Sequence, residues 1–171
     1  MDQITLDRIQ QAHPAIRQQL LQEYREANNL LGKGVRLRFT RVYSTPAEQN
    51  ELFALGRTKK GKRVTNAQAW ESIHNYALAF DIVLLVDTDG NGTFETASWD
   101  MLKDWDKDTR SDWMEVVNYF KSKGWEWGGD WPRFKDGPHF QKAFGYTWRQ
   151  LKAKIDKNDV IIDNGIKYPR L

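Results

Sequence analysis

The sequence predicts an α+β fold: one domain over residues 1–171, with a small antiparallel sheet flanked by helices. Two observations point there. Helical and strand-like segments are mixed without the regular βαβ alternation that a parallel sheet requires. No repeat, low-complexity tract or Pro/Ser-rich linker divides the 171 residues, a length that suits a single domain.

The elements follow in order. Pro14 suits a first helical turn, and Ile16, Leu20, Tyr24, Ala27 and Leu31 then recur at helical spacing until Gly32 and Gly34 stop the run. Val35, Leu37 and Phe39 alternate with Arg36, Arg38 and Thr40, a half-buried strand. Thr45-Pro46-Ala47-Glu48 has capping-box form and opens a helix over about 46–55, which Gly56 ends. Residues 57–77 read as irregular and polar. The apolar stretch 79–86 is a buried strand, and Asp87-Thr88-Asp89-Gly90-Asn91-Gly92 is a turn after it. Trp113, Val116, Val117 and Phe120 share one face of a helix over 109–123, closed by Gly124. Strand-like pieces follow at 125–127 and 138–141, then a short helix from Thr147 and a hairpin turn at Asn164-Gly165.

Composition removes several function classes. With hydrophobic residues at 40% the chain can bury a core, which excludes a disordered protein. The absence of cysteine excludes a thiolate nucleophile, a Cys-ligated zinc finger and an iron–sulfur cluster. A net charge of +3 is compatible with an anionic partner and too small to name one. The longest apolar run, 82–86, is far short of the ~18 residues of a membrane-spanning helix, so no membrane partner is expected. The first residues lack the basic and apolar regions of a signal peptide, so synthesis in the cytoplasm is expected, with release by other means if the chain acts outside.

Chemistry centres on few side chains. Of the three histidines, His13 precedes Pro14 at a helix start and reads as structural. His74 lies seven residues before Asp81, and Asp136 lies three before His139. An ionised Asp81 beside Phe80, Ile82 and Val83 is costly unless it is paired or bound to a cation. Two imidazoles and one carboxylate around zinc answer that cost and leave a position for water, whose pKa zinc lowers from 15.7 toward roughly 7. A nearby carboxylate must then take the proton, and Asp136 is the candidate. On spacing alone both pairs of residues are weak signals, and an ordinary paired carboxylate remains the simpler reading.

The motifs taken together are more specific. Ser72-x-His74-x6-Asp81, Asp136-x2-His139, and the stretch from Gly56-Arg57-Thr58 through Val64-Thr65-Asn66-Ala67 resemble the zinc peptidases that include D-alanyl-D-alanine carboxypeptidases and phage-type L-alanyl-D-glutamate endopeptidases. Residues 74–82 and 124–131 are most similar to the endopeptidase branch, and the resemblance runs from about Ile9 to Gln150. It implies a hedgehog/D,D-peptidase-like fold, with zinc on His74, Asp81 and His139 and Asp136 as general base and later acid. It further implies peptidoglycan stem peptides as substrate, cut between L-alanine and D-glutamate by metal-activated water. Removal of terminal D-alanine, or a wall-peptide-binding module with little turnover, are the alternatives. A phage or prophage lysin, monomeric and without nucleic-acid partners, fits this reading.

Two positions depart from the family pattern. Ala77 stands where relatives carry Gly, which costs on the order of 1 kcal/mol if the position needs φ > 0. Ser44 stands where relatives often carry an Arg that positions substrate or stabilises the oxyanion; Arg41 is the more local stand-in and Arg57 the other. Ser72 and Gln49 are expected to support the substrate site, and Trp131 to line its cleft.

Two further signals are weaker. Five cations in residues 57–63 read first as a solvated loop; a nucleic-acid patch, which no accompanying motif supports, and a lure for anionic wall peptides are the other readings. Asp87-x-Asp89-x-Asn91-Gly92-x-x-Glu95 resembles the start of a calcium (Ca2+) loop, but position twelve falls on Ser98; it reads first as a turn and second as a calcium site.

Overall fold

The computed structural model describes residues 1–171. Its centre is the strand β2 (Ala79–Val86), paired antiparallel from Asp81 to Val86 with β1 (Val35–Arg41). The other edge of β2 is shared: its first three residues pair with β5 (His139–Gln141) and its last three with β3 (Thr96–Ser98). The short β4 (Glu126–Trp127) pairs with β5 and completes the sheet. Such antiparallel pairing bears out the predicted class.

Alternation along the strands sorts the chemistry. Leu37, Phe39, Phe80, Ile82, Leu84 and Phe140 enter the hydrophobic core, so Asp81 and His139 turn to the opposite face. Phe80 stacks on Phe39 and on Phe140 (ring centroids 4.3 and 5.1 Å apart), which holds the three strands in register directly behind the site. The helices α2 (Pro14–Leu30) and α4 (Asp112–Ser122) pack together over this core with Tyr24, Trp113, Val117 and Phe120 fully buried. Trp113 is therefore core, as its helical face suggests. Trp125 is buried as well, its Nε1 donating to Glu23 (2.7 Å).

Local signals are realised where they rest on capping and turn chemistry. Both Thr45 and Thr147 make capping boxes, opening α3 (Pro46–Ala54) and α5 (Trp148–Asp156). Asn164 and Gly165 take φ of 50° and 76° between β6 (Val160–Asp163) and β7 (Ile166–Pro169), the left-handed pair a two-residue hairpin turn requires. His13 is structural: its Nδ1 accepts from Ala15 N (3.1 Å) at the start of α2, and its Nε2 donates to Pro169 O (2.8 Å), tying the hairpin to the body.

Three local expectations need correction. A first helix, α1 (Gln3–Ile9), precedes α2; Asp2 caps it by accepting from Thr5 N (3.0 Å) and is itself anchored by Arg38 on β1 (2.7 Å), a contact from distant sequence. The strand β3 was hidden in the polar region after the turn. Helix α4 starts at Asp112 rather than 109, because Thr109 has φ 82° and Ser111 caps the helix by accepting from Met114 N. No helix is long and apolar enough to cross a membrane.

Candidate metal centre

His74, Asp81 and His139 converge. Asp81 and His139 are register partners across β2 and β5, and His74 reaches them from a 3-10 turn, Ile73–Tyr76, just before β2. Ala77 ends that turn in the left-handed region (φ 56°, ψ 33°), which reverses the chain into the strand. A residue with a Cβ thus holds a position that has the conformation glycine favours, at a cost of about 1–2 kcal/mol that the surrounding packing overcomes. Asn75, buried beside His74, donates to Ser44 O (2.8 Å), and Ser44 N donates to His74 O (3.1 Å). Ser44 therefore holds the histidine turn by its backbone while its side chain supplies no charge.

The hydrogen bonds fix which ring nitrogens are bare. His74 Nδ1 donates to Val42 O (3.0 Å), leaving Nε2 without a proton. Gln141, on the same strand face as His139, donates its amide NH2 to Glu126 (3.0 Å). Its amide oxygen is thereby turned to accept from His139 Nε2 (3.0 Å), leaving His139 Nδ1 bare. His74 Nε2, Asp81 Oδ1 and His139 Nδ1 lie 3.0–3.2 Å from one another, and in the neutral imidazoles that metal binding requires all three are acceptors. Three acceptors at that separation repel unless a cation occupies the space they enclose, so the donor set fits a divalent metal with nitrogen and oxygen preference. The outward bonds to Val42 and Gln141 are the supports that metal-ligating imidazoles commonly have.

Charge is arranged to keep Asp81 ionised. Burial alone would raise its carboxyl, but His74, His139 and Arg41 hold it well below the usual carboxylate range. Burial pushes the His74 imidazole down. Burial would do the same to His139, but Asp81 turns its shift upward. Arg41 donates from Nε to Asp81 Oδ2 (2.9 Å), the oxygen turned away from the histidines.

Asp136 lines the same cleft, which has a volume of about 580 Å3. Burial and the neighbouring Asp81 charge raise its carboxyl above the ordinary value, against the pull of His139 and Arg41. Its backbone is held by Gly128, whose carbonyl accepts from Asp136 N (3.0 Å). A Cβ on Gly128 would lie 2.5 Å from Asp136 O, so this position must lack one.

The other expected residues divide. Ser72 and Trp131 line the cleft, Ser72 Oγ accepting from His74 N (3.3 Å) and the Trp131 ring lying 5.2 Å from that of His139. Arg57 does not line it: its guanidinium donates to Phe53 O (2.7 Å), Thr65 O (3.1 Å) and Asn66 Oδ1 (3.1 Å), and so is occupied behind the cleft wall. Gln49 is likewise buried behind it, donating to Ala67 O (2.8 Å). Both shape the wall formed by residues 65–67 instead of facing the cavity. Lys135, which sequence reasoning passed over, lines the cavity, and so does Arg63, which the sequence offered only as one of five cations in the 57–63 run. The Asp87, Asp89 and Glu95 carboxylates come together, but their oxygens accept from backbone amides of their own turn, at Asn91, Gly92 and Thr88. Nothing there goes beyond the turn.

The mixed fold has a counterpart among solved structures. The crystal structure of the Serratia marcescens L-Ala D-Glu endopeptidase ChiX superposes with a TM-score of 0.51, at 23% identity, over 82% of this chain and 87% of that one. Residues 65–142, which contain His74, Asp81, Asp136 and His139, match the family model described as D-alanyl-D-alanine carboxypeptidase. The chain is also 47% identical over 109 residues to the peptidoglycan L-alanyl-D-glutamate endopeptidase CwlK of Bacillus subtilis (strain 168), an alignment that spans 64% of this chain and 62% of that relative. The family resemblance read from the motifs is borne out.

Proposed function

We propose that the chain acts, over residues 1–171, as a single zinc peptidase domain that hydrolyses the peptidoglycan stem peptide at the L-alanyl-D-glutamate bond. The observation that carries this is the convergence of ligand atoms of His74, Asp81 and His139 beside a cleft that Asp136 lines. The endopeptidase named for the Bacillus relative supports the choice of bond.

Bound at these three residues, zinc supplies Lewis acidity that polarises a scissile carbonyl and makes water a nucleophile near neutral pH. Asp136 takes the proton of the attacking water and passes it to the leaving amine. Arg41 holds Asp81 in place and adds positive charge at the cleft for the developing oxyanion. Arg63 and Lys135 offer cations to the carboxylates of the stem peptide, and Trp131 forms an apolar wall beside His139. Ser72 acts indirectly, by capping the turn that carries His74.

Digestion of purified muropeptides with the zinc-loaded chain, followed by mass spectrometry of the new termini, tests the assignment. New C-terminal L-alanine and N-terminal D-glutamate are expected. Release of free D-alanine instead would establish the carboxypeptidase reading that the matched family's description favours. Full zinc occupancy without any cleavage would overturn both and leave a binding module.

A further inference from the structure

We propose that residues 104–115 form a second metal site, specific for calcium and separate from the His74–Asp81–His139 centre. The proposal does not depend on the peptidase reading.

Carboxylates stand at 104, 106, 108, 112 and 115. These are positions one, three, five, nine and twelve of a twelve-residue calcium loop, with the carbonyl of Arg110 at position seven and a glutamate in the bidentate place. In space, ligand oxygens of Asp104, Asp106 and Asp108 lie within 4.8 Å of one another, and so do those of Asp106, Asp112 and Glu115. Asp106 belongs to both groups, so the five form one cluster.

An acidic cluster alone would be ordinary; two buried oxygens make this one different. The Asp112 side chain is fully buried, and while Oδ2 accepts from Trp105 N (2.6 Å), Oδ1 has no partner. Glu115 Oε2 is also buried without a partner, its side chain only 12% exposed. A buried carboxylate oxygen facing other carboxylates is costly unless a cation meets it. The protein does not provide one: Arg110 reaches Glu115 Oε1 (3.2 Å) from an exposed position, and no Lys or Arg pairs with Asp104, Asp106, Asp108 or Asp112. An all-oxygen set of six ligands selects a hard cation, and a flexible loop suits calcium better than the stricter octahedron of magnesium. The usual glycine at position six is replaced by Thr109, whose backbone nevertheless adopts φ 82°.

The loop is wired to the rest of the fold. Asp106 accepts from Gly32 N (2.7 Å) where α2 gives way to β1. Ser111 Oγ donates to Met101 O (2.6 Å), and the Met101 side chain packs against Gly137, between Asp136 and His139. Calcium would thus stiffen the support behind the first metal centre.

The test is calorimetric titration of the zinc-loaded full chain with calcium, and separately with magnesium, alongside thermal unfolding. One calcium per chain and a raised Tm are expected, with magnesium at least about 10-fold weaker. Terbium luminescence excited through Trp105 and Trp113 should appear, and calcium should displace it. Glu115→Gln should abolish saturable binding. Asp108→Asn, at an exposed residue whose change leaves the core untouched, should weaken it at least about 10-fold with zinc content unchanged. Asp89→Asn should bind as the parent does. Absence of saturable calcium binding, equal response to magnesium, or loss on Asp89→Asn with retention on Asp108→Asn would each overturn the proposal.

Discussion

Arg41 and Asp81 face each other across the β1–β2 ladder, and one carboxylate oxygen, Oδ2, takes both Nε (2.9 Å) and Nη2 (2.8 Å) of the guanidinium. The pairing register shifts between Phe39 and Arg41, an irregularity that sets Arg41 opposite Asp81. Asp81 Oδ1 is thereby left for the two imidazoles. Replacing Arg41 with Ala should weaken zinc affinity by about 10–100-fold, as the loss of a ligand's supporting contact generally does. Arg41→Lys should recover part of the affinity. Competition with a chromophoric chelator measures this, and unchanged affinity in Arg41→Ala would remove Arg41 from the support of the ligand.

Asp136 is assigned the proton transfers and no part in holding the metal. Asp136→Ala should therefore retain zinc by elemental analysis and unfold at the parent's temperature, while muropeptide cleavage falls by about 10²–10⁴-fold. Cleavage at the parent's rate would overturn the role.

Gly128 lies where the turn carrying Asp136 and His139 crosses the chain, with space for no side chain. Gly128→Ala should displace that turn and destabilise the protein by about 1–3 kcal/mol. Zinc affinity and cleavage should both fall while the far-ultraviolet circular dichroism stays that of the parent. Full activity in this variant would show that the turn yields easily.

His13 should make stability depend on pH. Burial lowers its pKa in the folded chain, so the unfolded chain takes up the proton first as pH falls. Its contribution is present in full above the unfolded value of about 6.5 and is lost progressively below it, toward the lower folded value. His13→Asn keeps a helix cap but cannot titrate. Thermal unfolding from pH 7.5 to 5.5 should fall less steeply in His13→Asn than in the parent; parallel slopes would exclude His13 as the titrating group.

How much was legible can be argued from particular residues. The helix from Pro14, the strand over 79–86 and the Asn164-Gly165 turn each follow from neighbours within a few positions, and all three are found. The helix α1 was missed because the cap at Asp2 gains its anchor from Arg38, far along the chain. Arg57 and Gln49 were placed in the cleft because polar side chains near a motif look alike until the wall they brace is folded. The carboxylates of residues 104–115 do not stand out in the sequence, because Asp112 and Glu115 fall within the predicted helix over 109–123, and only burial shows that an oxygen on each lacks a partner.

Residue identity by itself determined the chemical vocabulary: two imidazoles, a carboxylate seven residues from one of them, a second carboxylate for proton transfer, and no thiol. Such choices are local, since each depends on the side chain and its immediate neighbours. Tertiary structure decided that His139 meets Asp81 across a strand pair, that Val42 and Gln141 take the outward ring protons, and that Arg41 secures the remaining oxygen. Apart from the Gln141–His139 bond, which lies within one strand, those facts arise from strand register and burial, which join positions 32–65 residues apart and which no short stretch of sequence encodes.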